Sequence, residues 1–302
     1  MARSDAATPD AVETAGEERR ESFPQIHKRI MHTFGVLNKV AQGVIGGHIR
    51  ASVVSGAAGC GKTYTMEKAL KRAQSDGLIA YESVRGSMSA IGLYRELWRA
   101  SGEYRPMGGS GEEDEESGED TNYGDGKHHV LLIDDCDSIF ADLDALNLLK
   151  AALDTTKTRR VHWNKESRVL DEEGVPRNFE FNGAVVFITN IDFQSEIDAD
   201  KKMSPHYAAL MSRCMYVDLG IHTKREIFVR ISQVVFSKEF LKESGLKTEQ
   251  AKEMMEWLRL HVDRVRTLSI RTILQLASLV KTDPDWQAMA EVIMLKKASR
   301  LG

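Results

Sequence analysis

Apolar residues recur along this chain at two spacings, and the switch between them divides it. Ile26, Ile30, Phe34, Leu37 and Val40 repeat at helical spacing, and the segment Phe23 to Ile49 ends in Gly43 and Gly46-Gly47, so it predicts a helix leading into a core. The run Ala51-Ser52-Val53-Val54-Ser55 predicts a first strand, followed by a helical pattern from Thr65 to Gln74. Leu78 to Val84 predicts a second strand, and Ser87 stands where it can cap a helix running to about Arg99. Val130-Leu131-Leu132-Ile133 is continuously apolar, as a strand covered on both faces would be. Leu143 to Leu153 predicts a helix, Ala184 to Thr189 another buried strand, and Met215 to Leu219 a shorter one. Strands alternating with helices imply a parallel sheet with helices on both faces and right-handed crossovers. From Thr223 onward the pattern is purely helical, with Thr223, Ser269 and Asp283-Pro284 as start signals. The expected organisation is an α/β unit over 25–220 and a small all-helical unit over 221–302. No internal repeat is visible.

Two segments fit neither period. Residues 1–24 are polar and charged and predict a disordered tail with no apolar signal region. Met107 to Lys127 is rich in Gly, Glu and Asp with almost no apolar residue; too little surface could be buried to offset its ordering, so 107–127 is expected to be a flexible acidic insertion. These two segments change the meaning of the charge. The formal net charge is −4, but residues 107–127 carry −7 and residues 1–25 carry −3, which leaves about +6 elsewhere. That balance permits a nucleic-acid partner without requiring one. No apolar run approaches the ~18 residues that span a bilayer, so no membrane association and a cytoplasmic location are expected. The cysteines Cys60, Cys136 and Cys214 have no metal-ligand spacing and suit a reducing compartment.

The chemistry is concentrated in one octet. Gly56-Ala57-Ala58-Gly59-Cys60-Gly61-Lys62-Thr63 fits G-x-x-x-x-G-K-[ST] without a mismatch, between a predicted strand and a predicted helix, as the motif requires. Glycines let backbone N–H groups converge on an anion, and the helix adds its positive end. Lys62 is placed to reach the β- and γ-phosphates of ATP and Thr63 to offer its hydroxyl to Mg²⁺, with Tyr64 next to them as a further nucleotide contact. About seventy residues on, the apolar strand ends in Asp134-Asp135. Asp134 is assigned to the metal and Asp135 to polarising the attacking water. The strand Val185 to Ile188 ends in Thr189-Asn190, which places Asn190 where it could orient that water.

The ordered set Gly56 to Thr63, Val130 to Asp135, Ile188-Thr189-Asn190, Ser212-Arg213-Cys214 and Ser269-Ile270-Arg271 resembles the AAA+ ATPases over about residues 25 to 300. The resemblance implies a P-loop NTPase sheet of five strands with a helical lid, a nucleotide between them, and assembly of identical copies into a hexamer or related ring. It implies that Arg213, in the clamp-loader-like segment Ala208 to Cys214, is an arginine finger serving a neighbour's site. It implies that Arg271 links lid position to the γ-phosphate in cis. One departure is Asp135, where the family usually has Glu; the shorter side chain predicts a slow to moderate ATPase. The overall look also resembles ATPases of bacteriophages and mobile elements, which would place the protein in a host cytoplasm.

Residues 155–183 interrupt this frame. Arg159 to Lys165 and Asn178 to Phe181 alternate apolar and polar residues around a charged turn, which predicts a β-hairpin insertion. Its place resembles the pre-sensor hairpin of superfamily 3 helicases, which grips DNA in a ring channel. Lys165 and Arg168 are the candidate phosphate contacts, with His162 or Trp163 as stacking groups; Trp163 and Phe179 are rather expected to pack the hairpin onto its own domain. The leading reading is a ring- or arc-forming ATPase that remodels DNA or a DNA-bound complex, as a helicase or helicase loader does. A protein-remodelling ATPase and a weakly hydrolysing assembly switch are the alternatives, and a small-molecule kinase leaves Arg213, Arg271 and the helical end without a role.

Overall fold

A computed structural model of the chain describes residues 21–102 and 127–297. The expected tail and the acidic insertion lie almost wholly outside these residues.

The chain begins with α1 (Phe23–Ile45), β1 (Ala51–Ser55), α2 (Lys62–Ser75), β2 (Ile79–Arg85) and α3 (Ala90–Arg99). After the insertion come β3 (His128–Asp134), a short 3-10 turn (Asp137–Ala141) and α4 (Leu143–Ala152). A small element follows, made of β4 (Arg160–His162), α5 (Arg168–Glu172) and β5 (Asn178–Glu180). The sheet resumes with β6 (Ala184–Thr189), α6 (Phe193–Asp198), α7 (Ser204–Met211) and β7 (Met215–Asp218). Five helices close the chain: α8 (Lys224–Val235), α9 (Lys238–Ser244), α10 (Thr248–His261), α11 (Ile270–Thr282) and α12 (Trp286–Met294).

The five long strands form one parallel sheet in the order β2-β3-β6-β1-β7. Alternation along β3 and β6 divides their side chains between two cores. Leu131, Ile133, Val185 and Phe187 face α3, α4, α6 and α7 through residues such as Leu93, Leu149 and Phe193. Val130, Leu132, Val186 and Ile188 face α1, α2 and α8 through Ile30, Leu37, Met66 and Val229. Both faces are covered, which is why these strands read as unbroken apolar runs. The last helices have a third core around Trp257, Leu258, Ile273 and Trp286.

Two start signals differ from the sequence reading. Ser89, not Ser87, caps α3, its Oγ accepting from the Gly92 N–H at 3.2 Å. Helix α12 starts at Trp286, beyond Pro284, and the Asp283 carboxylate instead accepts from the Asp285 N–H at 2.7 Å, a local turn that competes with helix entry. Thr223 and Ser269 do cap α8 and α11.

The expected hairpin is an antiparallel pair, β4 with β5, but with α5 between the strands instead of a plain turn. Its aromatics face inward: Trp163 and Phe179 are buried, with rings 5.7 and 5.2 Å from Tyr94 of α3. Arg159 is buried too, donating to Ala152 O at 3.0 Å and Gly183 O at 2.9 Å, and so ties the element to the end of α4 and the start of β6. No helix among the described residues is long and apolar enough to cross a membrane.

Candidate nucleotide-binding site

Strand β1 delivers the chain into a loop whose backbone only glycine adopts easily. Gly56, Gly59 and Gly61 have φ of 151°, 70° and 96°. Gly61 sits at the N-cap of α2 in the left-handed region and supplies no capping side chain, so the first N–H groups of the helix are left for an anion. The cleft above them is lined by Ala58, Gly59, Gly61, Lys62, Thr63, Tyr64, Asp135, Asn190, Ile270 and Arg271. Ala57 meets Lys62 through its carbonyl, and Cys60 is buried beneath the loop.

Lys62 is 5% exposed. Its ammonium donates to Gly56 O at 2.6 Å, Ala57 O at 3.1 Å and Asn190 Oδ1 at 2.8 Å. Burial pushes its pKa below the usual lysine value, while the carboxylates of Asp135, Asp134 and Asp137 pull the other way. Asn190 in turn donates through Nδ2 to Asp135 Oδ1 at 3.1 Å. Lys62, Asn190 and Asp135 therefore form one chain of hydrogen bonds across the tips of β1, β6 and β3. Asp135 has φ of 53°, unusual outside glycine, and its N–H is fixed on Ile188 O at 3.1 Å. This turn swings its carboxylate out of the strand and into the cleft, while Asp134 stays buried.

Thr63 Oγ1 donates to Asp134 Oδ1 at 3.0 Å. A hydroxyl and a carboxylate are hard oxygen donors of the kind Mg²⁺ takes when phosphate and water supply the rest, so the residues fit the ion. Burial raises the Asp134 pKa and the Asp135 charge adds to the rise, against the Thr63 hydrogen bond and Arg85.

Two arginines of the site escaped the sequence reading. Arg85, at the end of β2, lies opposite Asp134 in the parallel register. Its Nε is 3.1 Å from Asp134 Oδ2, and its other end pairs with Glu67 of α2 at 2.6 Å. Nothing in the local sequence marks it; only the pairing of β2 with β3 brings it there. Arg230 of α8 lies on the Phe34 ring, 3.4 Å from guanidinium to centroid, and its Nε donates to Cys60 O at 3.2 Å. Burial lowers its pKa to about 10. An arginine between Val229 and Ile231 on a helix otherwise facing a core was the one available signal.

The lid meets the loop at Gly59. The Ile270 N–H donates to Gly59 O at 2.9 Å, and a Cβ on Gly59 would come within 2.8 Å of Ser269 Cβ. Arg271, the next residue, is exposed and lines the cleft. Tyr64 extends the junction, donating to Glu239 of α9 at 2.5 Å; that bond and burial raise the phenol's pKa. Gly59→Ala should therefore force the start of α11 off the loop and strain the backbone at once. We expect nucleotide affinity to fall by about tenfold or more, from the ~1–3 kcal/mol that overpacking costs. Equilibrium titration with a fluorescent ATP analogue checks this.

Arg213 is not in this cleft. It follows α7 and precedes β7, whose Met215 pairs with Ser52 near the start of β1, whereas the phosphate loop leaves the other end of β1 at Gly56. Sheet geometry puts the two on the order of 15–20 Å apart along the strands, at about 3.3 Å per residue. Lys165 and Arg168 are outside the cleft as well, on the β4–α5–β5 element. Lys165 is paired with Asp144, and Arg168 with Glu172 at 2.7 Å.

Residues 47–162 match the family described as AAA domain. A protein of Enterobacteria phage T4, named "Uncharacterized 36.7 kDa protein in nrdC-mobD intergenic region", is 42% identical over 275 residues, covering 91% of this chain and 77% of the phage protein. Among solved structures, the Aeropyrum pernix Orc1 protein in complex with DNA is similar with a TM-score of 0.45 at 11% identity, over 87% of this chain and 64% of the Orc1 chain, so this chain spans less than two thirds of it. Domain III of the Thermotoga maritima replication initiation protein DnaA gives 0.46 at 12% identity, over 88% and 92% of the two chains. Likenesses this distant carry no conclusion about ligands or partners. The phosphate loop, the acidic pair after β3 and the sheet order, joined to the family match and the phage relative, lead to one conclusion: the chain belongs to the AAA+ ATPases, with a bacteriophage protein among its relatives.

Proposed function

We propose that the protein hydrolyses ATP as an assembly of copies, each completing its neighbour's site with Arg213, and that the assembly remodels DNA or a DNA-bound complex. The observation that carries the first half is the separation of Arg213 from its own phosphate loop across the length of the sheet. A finger so placed cannot serve its own nucleotide without unfolding β7, but it can reach a nucleotide held by a second copy. A ring or arc follows from repeating that contact, since a head-to-tail interface propagates.

In each cleft the N–H groups of the loop and α2 hold the phosphates, and Lys62 exchanges its carbonyl partners for phosphate oxygens. Asp135 takes a proton from the attacking water, with Asn190 holding the carboxylate and the water in line. Arg271 and Arg230 tie lid position to the bound nucleotide. Thr63 and Asp134 would hold Mg²⁺, which when bound would neutralise charge on the phosphates.

Two observations support DNA over a polypeptide as the substrate. The charge outside the two acidic segments is positive. The loop after β2, Arg85-Gly86-Ser87-Met88, offers no exposed aromatic grip, since Met88 is buried and bonded to Ser138 through its N–H at 3.3 Å and its carbonyl at 3.1 Å. A second reading, a slowly hydrolysing assembly switch, is favoured by one feature: the short Asp135 carboxylate is already occupied by Asn190.

Steady-state ATP hydrolysis without polymer, with single-stranded DNA and with duplex DNA, over a salt series, tests the proposal. Stimulation by DNA that fades as salt rises is the expected result. Hydrolysis indifferent to DNA would assign the assembly to a polypeptide, and ATP binding without turnover would leave the switch.

A further inference from the structure

Among the described residues, two cations, Lys150 and Arg213, stand at the end of the sheet remote from the phosphate loop with one carboxylate, Asp154, paired to Arg213. Helix α4 ends there, next to α7 and the start of β7. Lys150, in the last turn of α4, directs its ammonium at two neutral acceptors, Asn147 Oδ1 at 3.1 Å and His206 Nδ1 at 2.8 Å. An ammonium only donates, so Nδ1 of His206 accepts, and the α7 ring holds the lysine in place. Arg213 is close by. It donates to Ala209 O at 2.6 Å and has Asp154 at 3.8 Å, a long ion pair, and its buried Nε has no hydrogen-bond partner among the described residues. Asp154 is itself drawn into a turn, accepting from the Thr156 N–H at 2.9 Å. Burial and the Arg213 charge both lower the Lys150 pKa, which is how two cations sharing a half-buried edge behave.

Among the described residues, then, Arg213 has that one distant, otherwise engaged carboxylate, and Lys150 has Asn147 and His206. Folding a chain to bring like charges together costs free energy unless an anion arrives to use them. The chain's own nucleotide cannot be that anion, because its phosphate loop opens at the opposite end of the strands. An anion on a second copy can.

We propose that Lys150, held by His206, is a second cation presented with Arg213 to the phosphates of ATP bound by the neighbouring copy. The inference rests on the reading that copies assemble with Arg213 acting in trans. Arg213 supplies planar, two-pronged contact to oxygens spread in the transition state, and Lys150 a compact point charge beside it. The pair would spread the neutralisation over two donors on two elements, α4 and the segment before β7, so that a correctly docked neighbour is needed to bring both.

Mixed assemblies test this. The acceptor is Arg213→Ala, which binds ATP but offers no finger; the donor is Lys62→Ala, which offers both cations but no nucleotide of its own. The mixture should hydrolyse ATP. A donor carrying Lys62→Ala with Lys150→Gln should restore at least tenfold less, and Lys62→Ala with Lys150→Arg should recover most of the loss. ATP-dependent association of Lys150→Gln, followed by sedimentation, should weaken, while its own affinity for ATP, read by equilibrium fluorescence on dilute subunits, stays at the wild-type value. A Lys150→Gln donor that restores hydrolysis as fully as Lys62→Ala alone overturns the proposal while leaving Arg213 in trans. If the Lys62→Ala donor itself fails to rescue, the trans reading falls first and Lys150 with it. Should Lys150→Gln lower the melting temperature, His206→Ala decides, since it leaves the ammonium present but unheld: a weaker donor of unchanged stability supports the role, and an intact donor overturns it.

Discussion

Arg213→Ala is expected to slow steady-state ATP hydrolysis by about 10³–10⁵-fold, the range found for removal of an arginine finger, with the affinity for ATP unchanged within about twofold. The size follows from what a guanidinium does. It meets charge that develops on the phosphoryl oxygens only in the transition state, so its loss appears in turnover and not in binding. The insensitivity of binding follows from the fold: Arg213 touches Ala209 and approaches Asp154, and nothing in its own cleft. The fold itself should be little affected, because the side chain is partly exposed and its ion pair is long. Hydrolysis and ATP binding measured on the same preparation check both halves. A matched fall in affinity would mean that Arg213 supports its own cleft and is no finger.

Lys62→Ala is expected to weaken ATP binding by about 10²–10³-fold, from the ~3–4 kcal/mol that two charge-assisted contacts to phosphate contribute. The lysine is not idle without ATP. It is nearly buried and bound to Gly56 O, Ala57 O and Asn190, so its loss leaves two carbonyls of the loop without a donor. That should cost about 1 kcal/mol, or roughly 2–4 °C in melting temperature, far less than the effect on binding. Fluorescence titration and thermal melting separate the two. A variant that melts much earlier would show Lys62 to be chiefly a structural tie between β1 and β6; one that still binds ATP tightly would refute its contact with the phosphates.

Much of this site was legible before the fold, and the reason is local. A phosphate loop needs glycines at set positions, a lysine after them and a helix to follow, all within a dozen residues, so its chemistry is written in one stretch of chain. The acidic pair and Asn190 were legible for a related reason: each ends an unbroken apolar run, and in a parallel sheet covered on both faces such runs all finish on the same edge. Composition separated the acidic stretch 107–127 from the apolar-periodic segments, and the loss of strand spacing after Gly220 marked where helices take over. The β4–β5 pair was legible as alternation, while the helix α5 between its strands was not, because a five-residue helix is too short to establish a period.

What the sequence by itself determined, then, is what neighbours in the chain decide: the sheet strands, the longer helices, the phosphate loop, the ends of the strands and the caps Thr223 and Ser269. The tertiary structure alone decided the rest, because those facts depend on which strands lie side by side and which helices cross. Arg85 reaches Asp134 only because β2 pairs with β3, 49 residues away in register. Arg230 reaches the phosphate loop only because α8 packs beside α1, where Phe34 carries its guanidinium. Trp163 was withdrawn from solvent by Tyr94 of α3, and Lys165 was given a carboxylate partner, Asp144, from α4. Lys150 of α4 and Arg213 before β7 are both tied to α7, through His206 and the Ala209 carbonyl, at the end of the sheet opposite the nucleotide. Spacing along a chain sets which groups a helix or strand presents, but charges act through space, and only the fold sets that distance.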